Sequence, residues 1–346
     1  MTCVTEERDQ LDLLRHHGDV DVEPGMLDFA VNVASPAPPA WLVRRLAERL
    51  GSLGRYPSSA DELAARTAVA ARHGRSPDEV LLLAGGAEGF ALLPKLCTHA
   101  ALIHPSFTEP DVALRGAGVR VTVVMLRRPY ALSHAVVPDD ADLVVLGNPT
   151  NPTSVLHPAK SVLALRRPGR IVVVDEAFAD AVPGEVESLS RLSLPDVVVL
   201  RSLTKTWSLA GLRCGYALGA PEVLQRMATG RPHWPLGTLQ LEAIAACCEP
   251  EAVAESSDRA FRICDERAAL ATELEELGIS VNLPAAGPFL LIDVADGESM
   301  RKGLREKGIA VRRCDTFPGL GPDQLRIAVR DARSVRRLVT AIKELL

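Results

Sequence analysis

The sequence lacks long apolar runs, paired-cysteine motifs and a strong excess of either charge. None of its hydrophobic stretches approaches the ~18 consecutive apolar residues that a membrane-spanning helix requires. Its first ten residues, MTCVTEERDQ, are polar and acidic, which is unlike a secretory signal. A formal net charge of −5 gives no reason for nucleic acid or an acidic membrane to bind. We therefore expect neither kind of partner.

The seven cysteines are odd in number and include no C-x-x-C pair. This usage is typical of reduced thiols in a cytoplasmic protein, and it favours neither a disulfide framework nor a zinc site. Most of these side chains are expected to pack as small buried hydrophobic groups. The sequence therefore predicts a cytoplasmic location and no bound metal.

Short apolar runs rich in β-branched residues recur through the middle of the chain. Their near-continuous hydrophobicity is typical of strands that are covered on both faces. The predicted strands are 80–83, 101–103, 119–126, 143–146, 171–174, 197–200 and 214–218. Helical stretches such as 88–97 and 159–165 separate many of them. We therefore expect an α/β fold with a mostly parallel sheet flanked by helices.

The pattern changes after Gly219 to that of a smaller α+β unit. Helices are predicted at 239–248, 252–277, 300–307 and 334–346, and strands at 289–294, 309–312 and 325–329. In the helix 252–277, Phe261, Leu270 and Leu274 are expected on one apolar side. The predicted organisation is an N-terminal arm (1–38), a large domain (39–235) and a small domain (236–346) that the N-terminal segment joins.

Chemically distinctive residues follow four of the predicted strands, at the sheet edge where α/β proteins bind ligands. The turn Ala84-Gly85-Gly86-Ala87 leads into a helix, where backbone N–H groups could approach a phosphate. It is not G-x-G-x-x-G, so it does not favour a dinucleotide, and a plain tight turn is the alternative. The segment 147–153 contains two Asn-Pro pairs. They either form only a rigid loop or hold an asparagine amide in place as a hydrogen-bond donor.

A carboxylate and a lysine follow the next two strands. Asp175 ends an apolar strand, where it serves either as a helix N-cap or as the partner of a cation. Ser202, Thr204 and Lys205 lie together after the following strand, and Arg213 comes eight residues beyond Lys205. The lysine could be a solvated surface residue. Two hydroxyls, a lysine and an arginine on one loop nevertheless suit an anion together with an aldehyde.

Taken together, these four signals fit pyridoxal 5′-phosphate (PLP). Its pyridinium nitrogen needs an aspartate to stay protonated, and its phenolate oxygen accepts a hydrogen bond from an asparagine. Its phosphate suits the glycine turn, the hydroxyls and the arginine, and its aldehyde reacts with a lysine amine. One cofactor therefore explains all four positions.

The lysine segment, Ser202-Leu203-Thr204-Lys205-Thr206-Trp207-Ser208-Leu209-Ala210-Gly211-Leu212-Arg213, resembles that of fold-type I PLP enzymes of the histidinol-phosphate aminotransferase branch. The likeness extends over nearly the whole chain. It implies the aspartate-aminotransferase fold, with the cofactor bound covalently at Lys205 and its ring nitrogen paired with Asp175. The other implied cofactor contacts are Asn151, Ser202, Thr204, Arg213, the backbone amides of Gly86 and Ala87, and the stacking aromatic Phe107.

The segment Arg55-Tyr56-Pro57 resembles a loop of this branch whose tyrosine reaches the cofactor phosphate of the neighbouring subunit. The resemblance therefore implies a homodimer in which Tyr56 completes the partner's site.

Two reactions of this branch remain open, and both act on phosphorylated substrates. One is transamination of histidinol phosphate or a related amino acid. The other, which we expect, is decarboxylation of L-threonine O-3-phosphate for cobalamin biosynthesis. The segments that resemble the decarboxylase are His17-Gly18-Asp19, 27–33, Phe178-Ala179-Asp180, 311–320 and 325–330. These matches imply that His17, Asn32, Arg312 and Arg326 bind the substrate, since guanidinium groups bind phosphate and carboxylate in a bidentate manner.

Other observations favour different interpretations of the same residues. His17 could be only a surface histidine of the arm. Arg312 and Arg313 are adjacent on a predicted strand, so their side chains point to opposite faces and we expect Arg312 to face the site. The segments 34–37 and 208–211 depart from the decarboxylase pattern, and the second of them is closer to the aminotransferase. Ser154 replaces a glycine that is usual in the branch, and Ala87 replaces a usual aspartate. A third hypothesis is a PLP-binding module without catalytic activity.

Overall fold

The computed structural model describes residues 14–346 and contains two β-sheets packed with helices. The strands are β1 (Leu27–Phe29), β2 (Val80–Leu83), β3 (His99–His104), β4 (Arg120–Met125), β5 (Leu143–Gly147), β6 (Ile171–Asp175), β7 (Val197–Ser202), β8 (Gly215–Leu218), β9 (Ser280–Val281), β10 (Phe289–Asp293), β11 (Ile309–Arg313) and β12 (Gln324–Ala328).

The α-helices lie on the faces of these sheets and connect them. They are α1 (Ala40–Glu48), α2 (Ser59–His73), α3 (Gly86–Leu92), α4 (Glu109–Gly116), α5 (Ala159–Leu163), α6 (Pro221–Ala228), α7 (Thr238–Cys247), α8 (Pro250–Glu276), α9 (Gly297–Glu306) and α10 (Ala332–Lys343). No helix among residues 14–346 is both long enough and apolar enough to span a bilayer.

The large sheet has the strand order β2-β8-β7-β6-β5-β3-β4. The strands β4, β3, β5, β6 and β7 run parallel, whereas β8 is antiparallel to both of its neighbours. Along β7, Val197 and Val199 face one hydrophobic cluster and Val198 and Leu200 face another. This arrangement explains the continuous apolar runs, and the predicted mostly parallel sheet is confirmed.

The small sheet has the strand order β1-β11-β12-β10-β9. Its first strand comes from the N-terminal part of the chain and pairs in parallel with β11, so that Phe29 lies beside Val311. The predicted N-terminal arm (1–38) therefore contains a short strand that pairs with a C-terminal one.

Three helices were not predicted, and one predicted helical face was wrong. The missed helices are α2, α4 and α6. In α8, Leu270 and Leu274 are buried as expected, but Phe261 is 57% exposed. Nine residues separate Phe261 from Leu270, which is two and a half helical turns, so the two side chains lie on opposite sides.

A buried ion cluster lies below the carboxyl end of β7, and we name it the Arg201 cluster. It consists of Arg72, Glu176, Asp180, Glu185 and Arg201. The Arg201 guanidinium bonds Glu176 at 3.2 Å and Glu185 at 2.6 Å, and it also contacts Asp180. The cluster ties the loop after β6 to β7, because its carboxylates lie in that loop and Arg201 lies on the strand.

We expect Arg201→Met to lower the free energy of unfolding by about 3–5 kcal/mol, because it leaves buried carboxylates without their cation. Urea denaturation followed by circular dichroism measures the change. As a control, Lys302→Met removes an ion pair whose two side chains are each 61% exposed, and its unfolding midpoint should match the wild type. Equal midpoints for both variants would contradict a stabilising role for the cluster.

Candidate active site

The carboxyl ends of β3, β5, β6 and β7 meet at one edge of the large sheet, and a pocket opens there. Because the strands are parallel, the residues that follow them converge at this edge. The pocket is lined by Phe107 after β3, Asn151 after β5, and Asp175 and Phe178 at the end of β6. The structure therefore brings three of the predicted cofactor residues together.

Asp175 is the last residue of β6, and its side chain faces the pocket. The backbone N–H of Ala177 donates to Asp175 Oδ1 at 3.1 Å. Desolvation nevertheless raises the pKa of Asp175 to about 6, since burial favours the neutral form of a carboxyl group. A cation placed beside this carboxylate would relieve that cost.

Lys205 lies just beyond β7, between buried neighbours. Burial lowers the pKa of its amine to about 8, and the charges of Arg326 and Arg213 act in the same direction. The carboxylate of Asp175 acts in the opposite direction. A larger fraction of this amine is therefore neutral at physiological pH than for an ordinary lysine, as a nucleophilic amine requires.

Arg213 lies against the glycine turn, and Ser202 and Thr204 lie near Lys205 in the chain. The Ser202 and Thr204 hydroxyls lie 2.6 Å apart and are both buried. Gly85 has a φ of 80°, and a Cβ atom there would lie 2.9 Å from Nη2 of Arg213. Glycine is thus needed at position 85, because it adopts a positive φ readily and leaves room for the Arg213 guanidinium. Helix α3 begins at Gly86 with no side-chain cap. These donors fit the phosphate of PLP.

Two buried arginines form the other wall of the site. Arg312 on β11 and Arg326 on β12 are directly opposite each other in an antiparallel pair, and they are 3% and 5% exposed. Arg313 points away from them and bonds Asp315 at 2.6 Å. Like charges on opposing strands repel each other, more so when buried. An anion between them would remove that repulsion.

The hydrogen bonds of Arg326 go to neutral groups, Asn151 Oδ1 at 2.6 Å and the Ala30 carbonyl. Within residues 14–346, no carboxylate hydrogen-bonds its guanidinium. Burial and the neighbouring Arg312 lower the pKa of Arg326. Both observations describe a buried cation that lacks a counter-charge.

Arg312 and Asn32 also have unsatisfied polar atoms. Arg312 Nη2 donates to the His16 carbonyl at 2.7 Å and to Thr316 Oγ1 at 2.6 Å. Its Nη1 makes no hydrogen bond and lies 3.8 Å from the Asp21 carboxylate. Asn32 is 7% exposed, and neither polar atom of its side chain has a partner among the described residues. Buried polar atoms of this kind are expected to bind a ligand.

His17 lies over Phe107, with the ring centroids 5.3 Å apart, and its Nε2 lies 2.7 Å from Glu109 Oε1. The neighbouring Thr108 hydroxyl donates to the carbonyl of Leu14 at 2.5 Å. His17 is thus held at the site by Glu109, a residue that the sequence did not indicate.

Tyr56 lies outside the pocket of its own chain. It is 74% exposed and stacks on Trp234, with the ring centroids 4.2 Å apart. The structure therefore does not bring Tyr56 together with the other predicted cofactor residues within one subunit.

Two departures from the decarboxylase pattern contact each other. The backbone N–H of Ser35 donates to Ser208 Oγ at 3.0 Å, and the two hydroxyls are also 3.0 Å apart. The N–H of Ala34 donates to the Lys205 carbonyl at 3.0 Å. The segment 34–37 therefore packs on the loop that carries the lysine.

Residues 24–342 match the family described as aminotransferase class I and II. A histidinol-phosphate aminotransferase of Mycobacterium tuberculosis is 60% identical over 95% of this chain and 90% of its own. The threonine-phosphate decarboxylase of Salmonella typhimurium is 28% identical over 93% of this chain and 91% of its own.

Solved structures show the same fold. The histidinol-phosphate aminotransferase of Clostridium acetobutylicum has a TM-score of 0.84 at 22% identity, and the alignment covers 92% of this chain and 98% of that one. The enzyme of Sinorhizobium meliloti, solved with pyridoxal-5′-phosphate, has a TM-score of 0.78 at 21% identity, covering 92% and 90%. The aspartate-aminotransferase fold is thereby confirmed. With a matching family, a matching fold and a site whose donors suit the cofactor, this chain belongs to the PLP-dependent class I and II aminotransferases.

Proposed function

We propose that Lys205 binds the cofactor covalently and that Asp175 holds its ring nitrogen protonated. Phe107 stacks on the ring, and Asn151 donates to the phenolate oxygen. The phosphate is held by the Ser202 and Thr204 hydroxyls, Arg213, and the backbone N–H groups of Gly86 and Ala87. The lowered pKa of Lys205, the pocket lining and the close approach at Gly85 support this assignment.

When bound, PLP withdraws electrons from the bonds at the substrate's α-carbon. The protein must then orient the substrate and move a proton at that carbon. Lys205 is suited to both taking and returning the proton, because an amine with a pKa of about 8 is populated in both forms near neutral pH. Asn151 bonds Arg326 at 2.6 Å, so the anion-binding wall lies beside the cofactor residues.

The substrate that the site supports best is histidinol phosphate or a closely related phosphorylated amino compound, and the reaction is transamination. The Arg312–Arg326 pair carries this proposal, since two opposed buried guanidiniums need an anionic group between them. The 60% identity to a relative named histidinol-phosphate aminotransferase supports transamination better than the decarboxylation that we expected.

Decarboxylation of L-threonine O-3-phosphate is a second candidate, and specific observations favour it. His17 lies over Phe107, and Arg312 and the unpartnered Asn32 are both buried. Phe178 packs edge-on against Phe289 and offers no hydroxyl to the cofactor oxygen. A relative named threonine-phosphate decarboxylase spans most of the chain at lower identity.

We also infer that the enzyme is a homodimer in which Tyr56 reaches the partner's cofactor. Large apolar side chains are exposed in the chain segments on both sides of Tyr56, and Trp234 stacks on it. Exposed apolar groups are typical of an interface when they lie together. These residues are Val43, Leu50, Leu53, Leu63 and Trp234. The position of Tyr56 outside its own pocket supports a role in the second subunit.

We expect the rate at which PLP attaches to the apoenzyme to rise with pH up to about 8 and then to level off. The reacting species is the neutral amine, and a pKa of about 8 means that about one amine in ten is neutral at pH 7. Stopped-flow absorbance measures the rate. Lys205→Ala should retain the wild-type circular dichroism but form no borohydride-reducible adduct. A rate that still rises steeply between pH 9 and 10 would contradict the lowered pKa.

A paired substrate assay tests the reaction. With histidinol phosphate and 2-oxoglutarate, the holoenzyme should produce glutamate, whereas L-threonine O-3-phosphate should release little CO₂. The opposite result would identify the decarboxylase. Failure of both substrates, and of a broad amino-acid panel, would support the module without catalytic activity.

Arg326→Gln should lower kcat/KM for the phosphorylated substrate about 100-fold or more, because it removes the buried positive charge that binds the anionic group of the substrate. Its PLP content should stay at the wild-type level. Arg313→Gln is the matched control, since Arg313 adjoins Arg312 but points outward, and its kcat/KM should change by less than about twofold. Similar losses of kcat/KM in both variants would contradict the assignment of Arg326 as a substrate-binding residue.

A further inference from the structure

The carboxylate of Glu176 lies directly after Asp175 in the chain and is not used by the site described above. Glu176 is 1% exposed. Its oxygens accept hydrogen bonds from the Ser188 hydroxyl at 2.5 Å, the Leu189 N–H at 2.7 Å and Arg201 Nη1 at 3.2 Å. Burial raises the pKa of Glu176, whereas Arg201 and the hydrogen bonds from Ser188 and Leu189 lower it. All three partners are donors, so they favour the ionised carboxylate over the neutral acid.

The Arg201 cluster has more negative than positive groups. It contains the three carboxylates of Glu176, Asp180 and Glu185, but only the two guanidiniums of Arg72 and Arg201. Of the other titratable groups near it, His73, Tyr216 and Cys248 add no charge, whereas Arg191 is a further positive group that acts on His73. Burial and the two arginines lower the pKa of His73 to about 2, and burial raises the pKa values of Tyr216 and Cys248. Among the five members of the cluster, the carboxylates outnumber the guanidiniums, and Glu176 is the carboxylate that adjoins Asp175.

The Glu176 carboxylate is one residue from Asp175, which faces the cofactor's ring nitrogen in the function proposed above. The charge of Glu176 raises the pKa of Asp175, whereas the amine of Lys205 lowers it. In a poorly solvated interior, a charge one residue away acts with little screening. A negative potential at the Asp175 carboxylate favours the protonated over the neutral form of a basic ring nitrogen beside it.

We propose that Glu176 is a positioning residue that acts through Asp175, and that its buried charge strengthens the hold of the active site on the protonated ring nitrogen. Arg201 and Ser188 hold the carboxylate in place and favour its ionised form. The same contacts join the loop after β6 to β7. One cluster therefore both holds the backbone next to Asp175 and contributes to the electrostatic potential at its carboxylate.

The test compares the binding of two cofactors to the apoenzyme without any substrate. One is PLP, and the other is its 1-deaza analogue, in which a carbon replaces the ring nitrogen. Glu176→Gln should weaken PLP binding about fivefold or more and leave analogue binding within about twofold, because only PLP carries the proton that the charge stabilises. The ratio of the two dissociation constants is the readout.

Two variants serve as controls. Glu185→Gln removes the same charge from the same Arg201 partner, but Glu185 is not adjacent to Asp175, so its ratio should stay within about twofold of the wild type. Glu176→Asp keeps the charge, and its ratio should be close to that of the wild type. A role limited to stability would weaken both cofactors equally in Glu176→Gln, and that result would overturn the proposal.

A second variant keeps the test decisive if Glu176→Gln does not fold. Ser188→Ala removes a hydrogen bond that stabilises the ionised Glu176, so the ratio should shift in the same direction by a smaller amount. An unchanged ratio in the folded variant would also overturn the proposal. Because no substrate is present, the result does not depend on which reaction the enzyme catalyses.

Discussion

The parallel register of β5, β6 and β7 is the constraint on which the site depends. Gly147 pairs with Asp175, and Asp175 pairs with Leu200, so three strands end side by side. The strand ends and the segments that follow them place Asn151 and Asp175 in the pocket, and Lys205 near enough for its charge to act on Asp175. Since a shift of one residue in a strand turns every side chain to the other face, this register also decides which groups face the pocket and which enter the core.

The charges around the pocket are divided by sign. The opposed arginines of the small sheet, Arg312 and Arg326, carry positive charge, whereas the Arg201 cluster contains three carboxylates and two guanidiniums. Under the proposed function, the cofactor's ring nitrogen would lie near Asp175 and the substrate's anionic group near the two arginines. These charges would then orient both molecules before any chemistry occurs.

The large sheet and the residues at its strand ends were predictable because their signals are local. Strands covered on both faces are recognisable as continuous apolar runs. Helix α2 was missed because alanine fills much of its inner face, including Ala65 and Ala70, which gives a weak hydrophobic period. The contact between His17 and Glu109 spans 92 residues, and nothing local marks it. The opposition of Arg312 and Arg326 likewise depends on strand pairing rather than on either segment alone.

The pairing of β1 with β11 has a consequence for how the protein is made. Leu27 lies beside Ile309, so two segments that are far apart in the chain must find each other before the sheet is complete. Closing so long a loop is entropically costly and slows folding. The strand β1 can join the small sheet only after β11 has been synthesised, and until then its unpaired edge can pair with other chains.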